Sequence, residues 1–184
     1  MSHRLTRIVT RTGDDGTTGL GDGTRSPKDA PRVRAMGDVD ELNSALGAVL
    51  AEALPAPVRE ALARVQNDLF DLGGEICIPG RTALGESHVA RLDEALARLN
   101  APLPPLREFV LPGGTRAAAA THLARTVARR AERSLVQLHH AEPVSAASLR
   151  YLNRLSDLLF VCARTINRDA GVAEPTWQAS GDAP

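Results

Sequence analysis

Toward the C-terminal end of the chain, Leu152, Leu155, Leu159, Cys162 and Ile166 step by 3, 4, 3 and 4 positions. That spacing lays one apolar stripe along an α-helix. Asn153, Asp157, Arg164 and Arg168 fall within about 60° of one another on a neighbouring face, at about 100° per residue. Upstream, the same periodicity predicts four more helices. Leu42, Ala45, Leu46, Val49, Leu50 and Ala53 mark one that ends near Pro55. Val58, Leu62, Val65, Leu69 and Leu72 mark a second, over about 57–75. Val89, Leu92, Leu96 and Leu99 mark a third, over about 87–100. Two long helices follow, about 115–141 and 145–169, separated at Pro143. Five amphipathic helices with matching seams predict an all-α, up-down five-helix bundle.

The start of the first helix is ambiguous. Asp38 followed by Glu41 resembles a capping box, yet a start near Asp29, with Pro31 in the first turn and Gly37 inside the helix, fits equally. The chain reads as a single domain over 1–184, in three zones. Residues 1–37 are rich in Gly, Thr, Asp and Arg and lack helical period; 38–170 form the bundle. Residues 171–184 have tail composition and are expected to fray. Four prolines and a Gly113-Gly114 pair fall between Ala101 and Thr115, which predicts a loop.

Composition supports the helical reading. The 184 residues include 29 Ala and 24 Leu against 13 Val and 4 Ile, the balance that favours helix over strand. Lys plus Arg equals Asp plus Glu at 22 each, so a bulk nucleic-acid or anionic-membrane partner is not expected. Of those cations 21 are Arg, and Lys28 is the one lysine. Cys77 and Cys162 lack metal-ligand spacing and fit a reducing compartment, hence a cytoplasmic protein. No run approaches the length of a membrane span.

Two stretches could carry chemistry. Thr10-Arg11-Thr12-Gly13-Asp14-Asp15-Gly16-Thr17-Thr18-Gly19 offers glycines that let backbone amides converge on an anion, with threonine hydroxyls as further donors. It is not a P-loop, since no Gly-Lys-Ser/Thr follows, and alone it reads more readily as a flexible surface loop than as an anion site. Lys28 could bring a mobile positive charge to the same anion. On the fourth long helix, Arg129 lies about 40°, Glu132 about −20° and Arg133 about 80° round from Arg125. With Arg130, this is either a solvated face or a seat for a polyphosphate, which guanidinium groups bind bidentately. Asp40 and Glu41 could pair on a metal or serve the helix dipole. His88, His122, His139 and His140 form no ligand pattern, so no protein metal site is expected.

Taken together, these motifs resemble a known family. Thr10-Arg11-Thr12-Gly13-Asp14-Asp15-Gly16, Lys28-Asp29-Ala30-Pro31-Arg32 and Gly37-Asp38-Val39-Asp40-Glu41-Leu42-Asn43-Ser44 are similar to the start of the PduO-type ATP:cob(I)alamin adenosyltransferases. Phe109-Val110-Leu111-Pro112-Gly113-Gly114, the run from Arg125 to Arg133, and Tyr151-Leu152-Asn153-Arg154-Leu155-Ser156-Asp157-Leu158-Leu159-Phe160 continue the resemblance in the family's order.

The resemblance implies transfer of the 5′-deoxyadenosyl group of ATP to the cobalt of cob(I)alamin, with release of triphosphate. It implies a homotrimer with active sites between subunits, Mg²⁺ accompanying ATP, and encounters with a reductase and an adenosylcobalamin-dependent acceptor enzyme. ATP contacts carry over to Thr10, Arg11, Thr12, Gly13, Thr18, Gly19 and Lys28 in the loop. On the helices they carry over to Arg129, Arg130, Glu132, Arg133 and Asn153. Asp40 of one subunit is expected to pair with Arg125 of the next. Phe109 is expected to displace the lower axial base of cobalamin. Two departures stand out: Arg11 and Asp15 occupy positions where relatives often carry Lys. Without the resemblance, a small-molecule kinase with a triphosphate site, or a non-catalytic helical assembly, would fit the same charges.

Overall fold

A computed structural model of the protein describes residues 9–178. It is built of helices, with one two-stranded ribbon at the N-terminal end. The ribbon pairs β1 (Thr17–Gly19) antiparallel with β2 (Arg25–Pro27), Thr18 opposite Ser26. The helices are α1 (Pro31–Leu50), α2 (Ala56–Leu62), α3 (Val65–Cys77), α4 (Glu86–Asn100), α5 (Arg116–Ala141) and α6 (Ala146–Asp169).

α2 and α3 together occupy the span of the second expected helix. Ala63 and Arg64 between them keep right-handed helical dihedrals, so the break is an offset within one rod and the five-rod bundle stands. α1 packs on α3 and α5, α5 on α6, and α6 on α4. The predicted α6 stripe is the centre of the core: Leu152, Leu155, Leu159 and Cys162 are fully buried. Facing it, α5 presents Ala118, Ala124, Ala128 and Ala131, also fully buried. Small residues on one helix against leucines on the other let the two axes approach closely and interdigitate.

Three sequence expectations are resolved or corrected. Of the two starts left open, the structure takes the earlier rather than Asp38: the first helix begins at Pro31, which occupies its first turn, with Ala30 as its N-cap. A proline there forfeits no helical hydrogen bond. Asp38 lies inside α1, where its carboxylate accepts a hydrogen bond from Ser134 and pairs with Arg130 at 3.3 Å. A tertiary partner on α5 thus takes the carboxylate that the local pattern assigns to a cap.

Second, the charged stripe on α6 is split. Arg164 is buried and bonds to both Glu174 oxygens at 3.1 Å and to the Pro104 carbonyl at 2.9 Å, whereas Asn153, Asp157 and Arg168 are exposed.

Third, residues 171–178 do not fray. Gly171 takes a φ of +65° and its N–H donates to Arg168 O, while Val172 N–H donates to Asn167 O. That pair of bonds is a Schellman ending, which reverses the chain off the helix. The reversed chain lies along the loop before α5. Leu111 N–H donates to Pro175 O and Trp177 N–H to Phe109 O, both at 2.8 Å, about an isolated bridge between Val110 and Thr176. Backbone pairing holds this segment where its composition promised nothing. The remainder of the expected tail, 179–184, lies outside the described residues.

Candidate active site

The loop before α1 is shaped by two copies of one turn, Asp15-Gly16-Thr17 and Asp22-Gly23-Thr24. In each, the Asp Oδ1 accepts from the Thr N–H two residues on, at 3.0 and 2.9 Å. It also accepts from the same Thr hydroxyl, at 2.7 Å in both. Those bonds, the hydroxyl's foremost, hold both carboxyls below the usual carboxylate range. The central glycines have φ of +82° and +90°, a region that side chains disfavour. Asp15 is thus engaged in shaping the loop.

Lys28 folds back so that its Nζ donates to Gly13 O at 2.7 Å. A β-carbon on Gly13 would stand 3.0 Å from Thr17 O and 3.2 Å from Lys28 Nζ, so this approach favours glycine. Arg25 bridges Thr12 O and Thr17 Oγ1, and the Thr10 and Thr12 hydroxyls meet at 3.0 Å. Arg11 has a φ of 59° and is the single non-glycine with positive φ among the described residues; the conformation costs about 1 kcal/mol. Thr18 and Gly19 lie in β1. Gly21 N–H donates to Cys77 O at 2.9 Å and Leu20 is buried, which anchors the loop to the end of α3. Every expected loop residue therefore falls within one hydrogen-bonded unit, with Lys28 at its centre.

The helix residues gather less uniformly. Arg125 and Arg129 line one cavity of about 370 Å³ with Arg154, Asp157 and Phe160. Arg125 and Phe160 also line a second, of about 430 Å³, with Phe109 and Val110. Burial, and then the adjacent Arg129 charge, push the Arg125 guanidinium below its usual value. Its buried Nε lacks a hydrogen-bond partner, and neither arginine has a carboxylate within ion-pair distance among the described residues. Two adjacent cations without a paired carboxylate can seat an anion.

Asn153 Nδ2 donates to Glu132 Oε1 at 2.9 Å, and Arg133 donates to Arg129 O at 3.0 Å. Arg130 is separated from this group: it turns to α1 and pairs with Asp38 and Glu41. Asp40 lines a different, mostly apolar cavity of about 320 Å³ between α1 and α3, with Met36, Phe70 and Gly73. It does not meet Arg125 within one chain. Phe70 and Phe109 are 75% and 79% exposed, uncommon for aromatics without a covering partner.

Sequence reasoning missed Arg154 and Phe160 as lining residues, although both lie within the last matched motif. Trp177, whose ring meets Phe109 edge-on at 6.5 Å, carried no local signal. His122 is buried against Phe160, and both of its ring nitrogens lack partners. Burial, aided by the nearby Arg125 charge, lowers its pKa.

Known proteins bear out the resemblance. The family model for cobalamin adenosyltransferase matches residues 8–166. A cobalamin adenosyltransferase of Cupriavidus metallidurans is 59% identical over 179 residues, covering 97% of each chain. A corrinoid adenosyltransferase of Mycobacterium tuberculosis is 45% identical over 192 residues, covering 99% of this chain and 98% of that one. Among solved structures, a phenylalanine-to-alanine variant of a PduO-type ATP:corrinoid adenosyltransferase from Lactobacillus reuteri, complexed with cobalamin and ATP, superimposes with a TM-score of 0.86. It is 33% identical, and the match covers 94% of this chain and all of that one. Agreement over nearly the whole length, in sequence and in fold alike, leads to one conclusion: this chain belongs to the cobalamin adenosyltransferase family.

Proposed function

We propose that this protein transfers the 5′-deoxyadenosyl group of ATP to the cobalt of cob(I)alamin and releases triphosphate. Family membership sets the reaction class. The observation that carries the reading to this chain is a pair of neighbouring cavities. A cationic one with Arg129 and an aromatic one with Phe109 share Arg125 and Phe160. A polyphosphate and a large flat apolar substrate would meet at that shared wall.

The reaction needs little acid–base chemistry from the protein. Reduced cobalt supplies the nucleophile: a Co–C5′ bond forms, the C5′–O bond breaks, and its electron pair leaves on triphosphate. The protein contributes proximity, which removes much of the entropic barrier, and fixed positive charge for the departing polyanion. Arg129 and Lys28 supply that charge, with Arg11 and the Thr10, Thr12 and Thr18 hydroxyls completing the cradle around Gly13 and Gly19. Asn153, held by Glu132, and Arg133 border the nucleotide, while Arg130 braces α5 on α1. Phe109 occupies the lower face of the corrin, keeps the axial base away and leaves the cobalt easier to reduce. Mg²⁺ is proposed to arrive with ATP.

We further propose a cytoplasmic homotrimer in which Asp40 of the partner subunit pairs with Arg125. The unpartnered Arg125 Nε, the apolar surround of Asp40 and the exposed Phe70 support this reading. Both cysteines are free, and burial pushes the Cys162 thiol up to about 12, in keeping with a reducing compartment. No helix of the described residues is long and apolar enough to cross a membrane. A reductase that supplies reduced cobalamin and an acceptor that takes the product are its proposed partners.

Anaerobic incubation with ATP and reduced cobalamin tests the reading. The adenosylcobalamin spectrum is expected to appear with one triphosphate per turnover, and release of ADP instead would indicate a kinase. Arg129→Ala is expected to lower turnover by about 100-fold or more with helix content and oligomer unchanged; wild-type turnover would remove the arginine from the mechanism.

A further inference from the structure

Phe109 is largely exposed, so its own contacts do little to orient it. Its backbone is held instead by a polar hub at the end of α6. Asn167 is fully buried near the end of α6. Its Oδ1 accepts from the Thr115 N–H at 2.9 Å and from the Thr115 hydroxyl at 3.3 Å. Its Nδ2 donates to Gly113 O at 3.0 Å, and its main-chain carbonyl accepts from Val172 N–H at 2.9 Å. A carbonyl can only accept and an amide N–H only donate, so these partners fix which way the side chain faces.

Three segments therefore end on one residue: the turn that follows Phe109, the N-cap of α5, and the tail that pairs with Phe109. Gly114 completes the fit. It has a φ of +97°, and a β-carbon there would lie 2.2–2.5 Å from the Asn167 side chain. Downstream, Pro175 O and Trp177 N–H clasp the backbone on either side of Val110.

We infer that Asn167 is a positioning residue for Phe109, locking turn and tail in register so that the ring stands over the cavity it shares with Arg125 and Phe160. The inference rests on the reading of Phe109 proposed above. It explains the residue type. Aspartate would set a second oxygen against Gly113 O, and leucine would leave buried polar groups unpaired.

Trp177 is the one tryptophan of the chain and touches Phe109, so its emission reports the seating of this turn without any ligand. Asn167→Asp is expected to keep its helical circular dichroism but to show red-shifted, more readily quenched Trp177 emission. With ATP and cob(II)alamin, the four-coordinate cobalt signal is expected to fall by about tenfold, while KM for ATP changes by less than about twofold. Asn167→Ser, smaller and neutral, carries the same expectations should the aspartate variant fail to fold. Phe109→Ala is measured alongside. A normal four-coordinate signal in the folded Asn167 variant beside a depleted one in Phe109→Ala overturns the inference. Normal signals in both overturn the reading of Phe109 beneath it. Unchanged Trp177 emission in the Asn167 variant also overturns the inference.

Discussion

The bundle and the loop before α1 are held by different forces. Between α5 and α6 the core of the contact is alanine against leucine, buried and apolar. In the loop nearly every fixed contact is polar: two Asp-to-Thr turns, Lys28 on Gly13 O and Arg25 on Thr12 and Thr17. The first resists salt and rearranges little. The second consists of donors already aimed at oxygen, which a phosphate oxygen can replace at small net cost because each exchange is hydrogen bond for hydrogen bond. Stability and substrate grip are thereby placed in separate parts of one chain and are expected to respond to separate perturbations.

The largest expected effect lies in the bundle. Leu155→Ala, at a fully buried position, is expected to lower unfolding free energy by about 2–5 kcal/mol, read as a shift in urea midpoint, with KM for ATP unmoved while the protein stays folded. Lys28→Ala addresses the other half. Loss of one charge-assisted hydrogen bond is expected to raise KM for ATP by about tenfold and to leave the urea midpoint within error. A joint shift of both quantities in either variant would break the proposed separation.

Acid separates the regions more gently. His122 has its pKa lowered from 6.5 in the folded state. As pH falls below that value the unfolded chain takes up a proton that the folded one refuses, so bundle stability declines with falling pH. His122→Leu is expected to flatten that decline. Asp15 and Asp22 are lowered from 3.8; their contribution is intact above that value and is lost as pH falls through the still lower folded values. Urea midpoints at stepped pH are expected to fall first, with order in the loop, followed by the amide resonances of Thr17 and Thr24, persisting to lower pH.

The same division explains what could be read from the chain beforehand. The α6 seam was legible because 3.6-residue periodicity is written locally, and the loop because glycines and threonines announce turns. The start of the first helix stayed undecided because Asp38 is satisfied by Ser134 and Arg130, 96 and 92 positions away, beyond the reach of a capping rule. The burial of Arg164 was not legible because its partners are a backbone carbonyl and a tail glutamate. Asn167 carried one faint sign, an amide next to an apolar seam. Arg129 and Lys28 were legible by type and spacing, whereas the cavities that join Arg125 to Phe109 depend on how α5, α6 and the tail pack together.

The Schellman reversal after α6 has a consequence for synthesis. Helical contacts close over short separations and can form as the chain emerges from the ribosome. Phe109, by contrast, is clasped by residues nearly seventy positions later, which no nascent chain can supply until α6 is complete. The bundle is therefore expected to be assembled before its corrin face is, and a product ending before Gly171 would fold as a helical protein while lacking the support that orients its exposed phenylalanine.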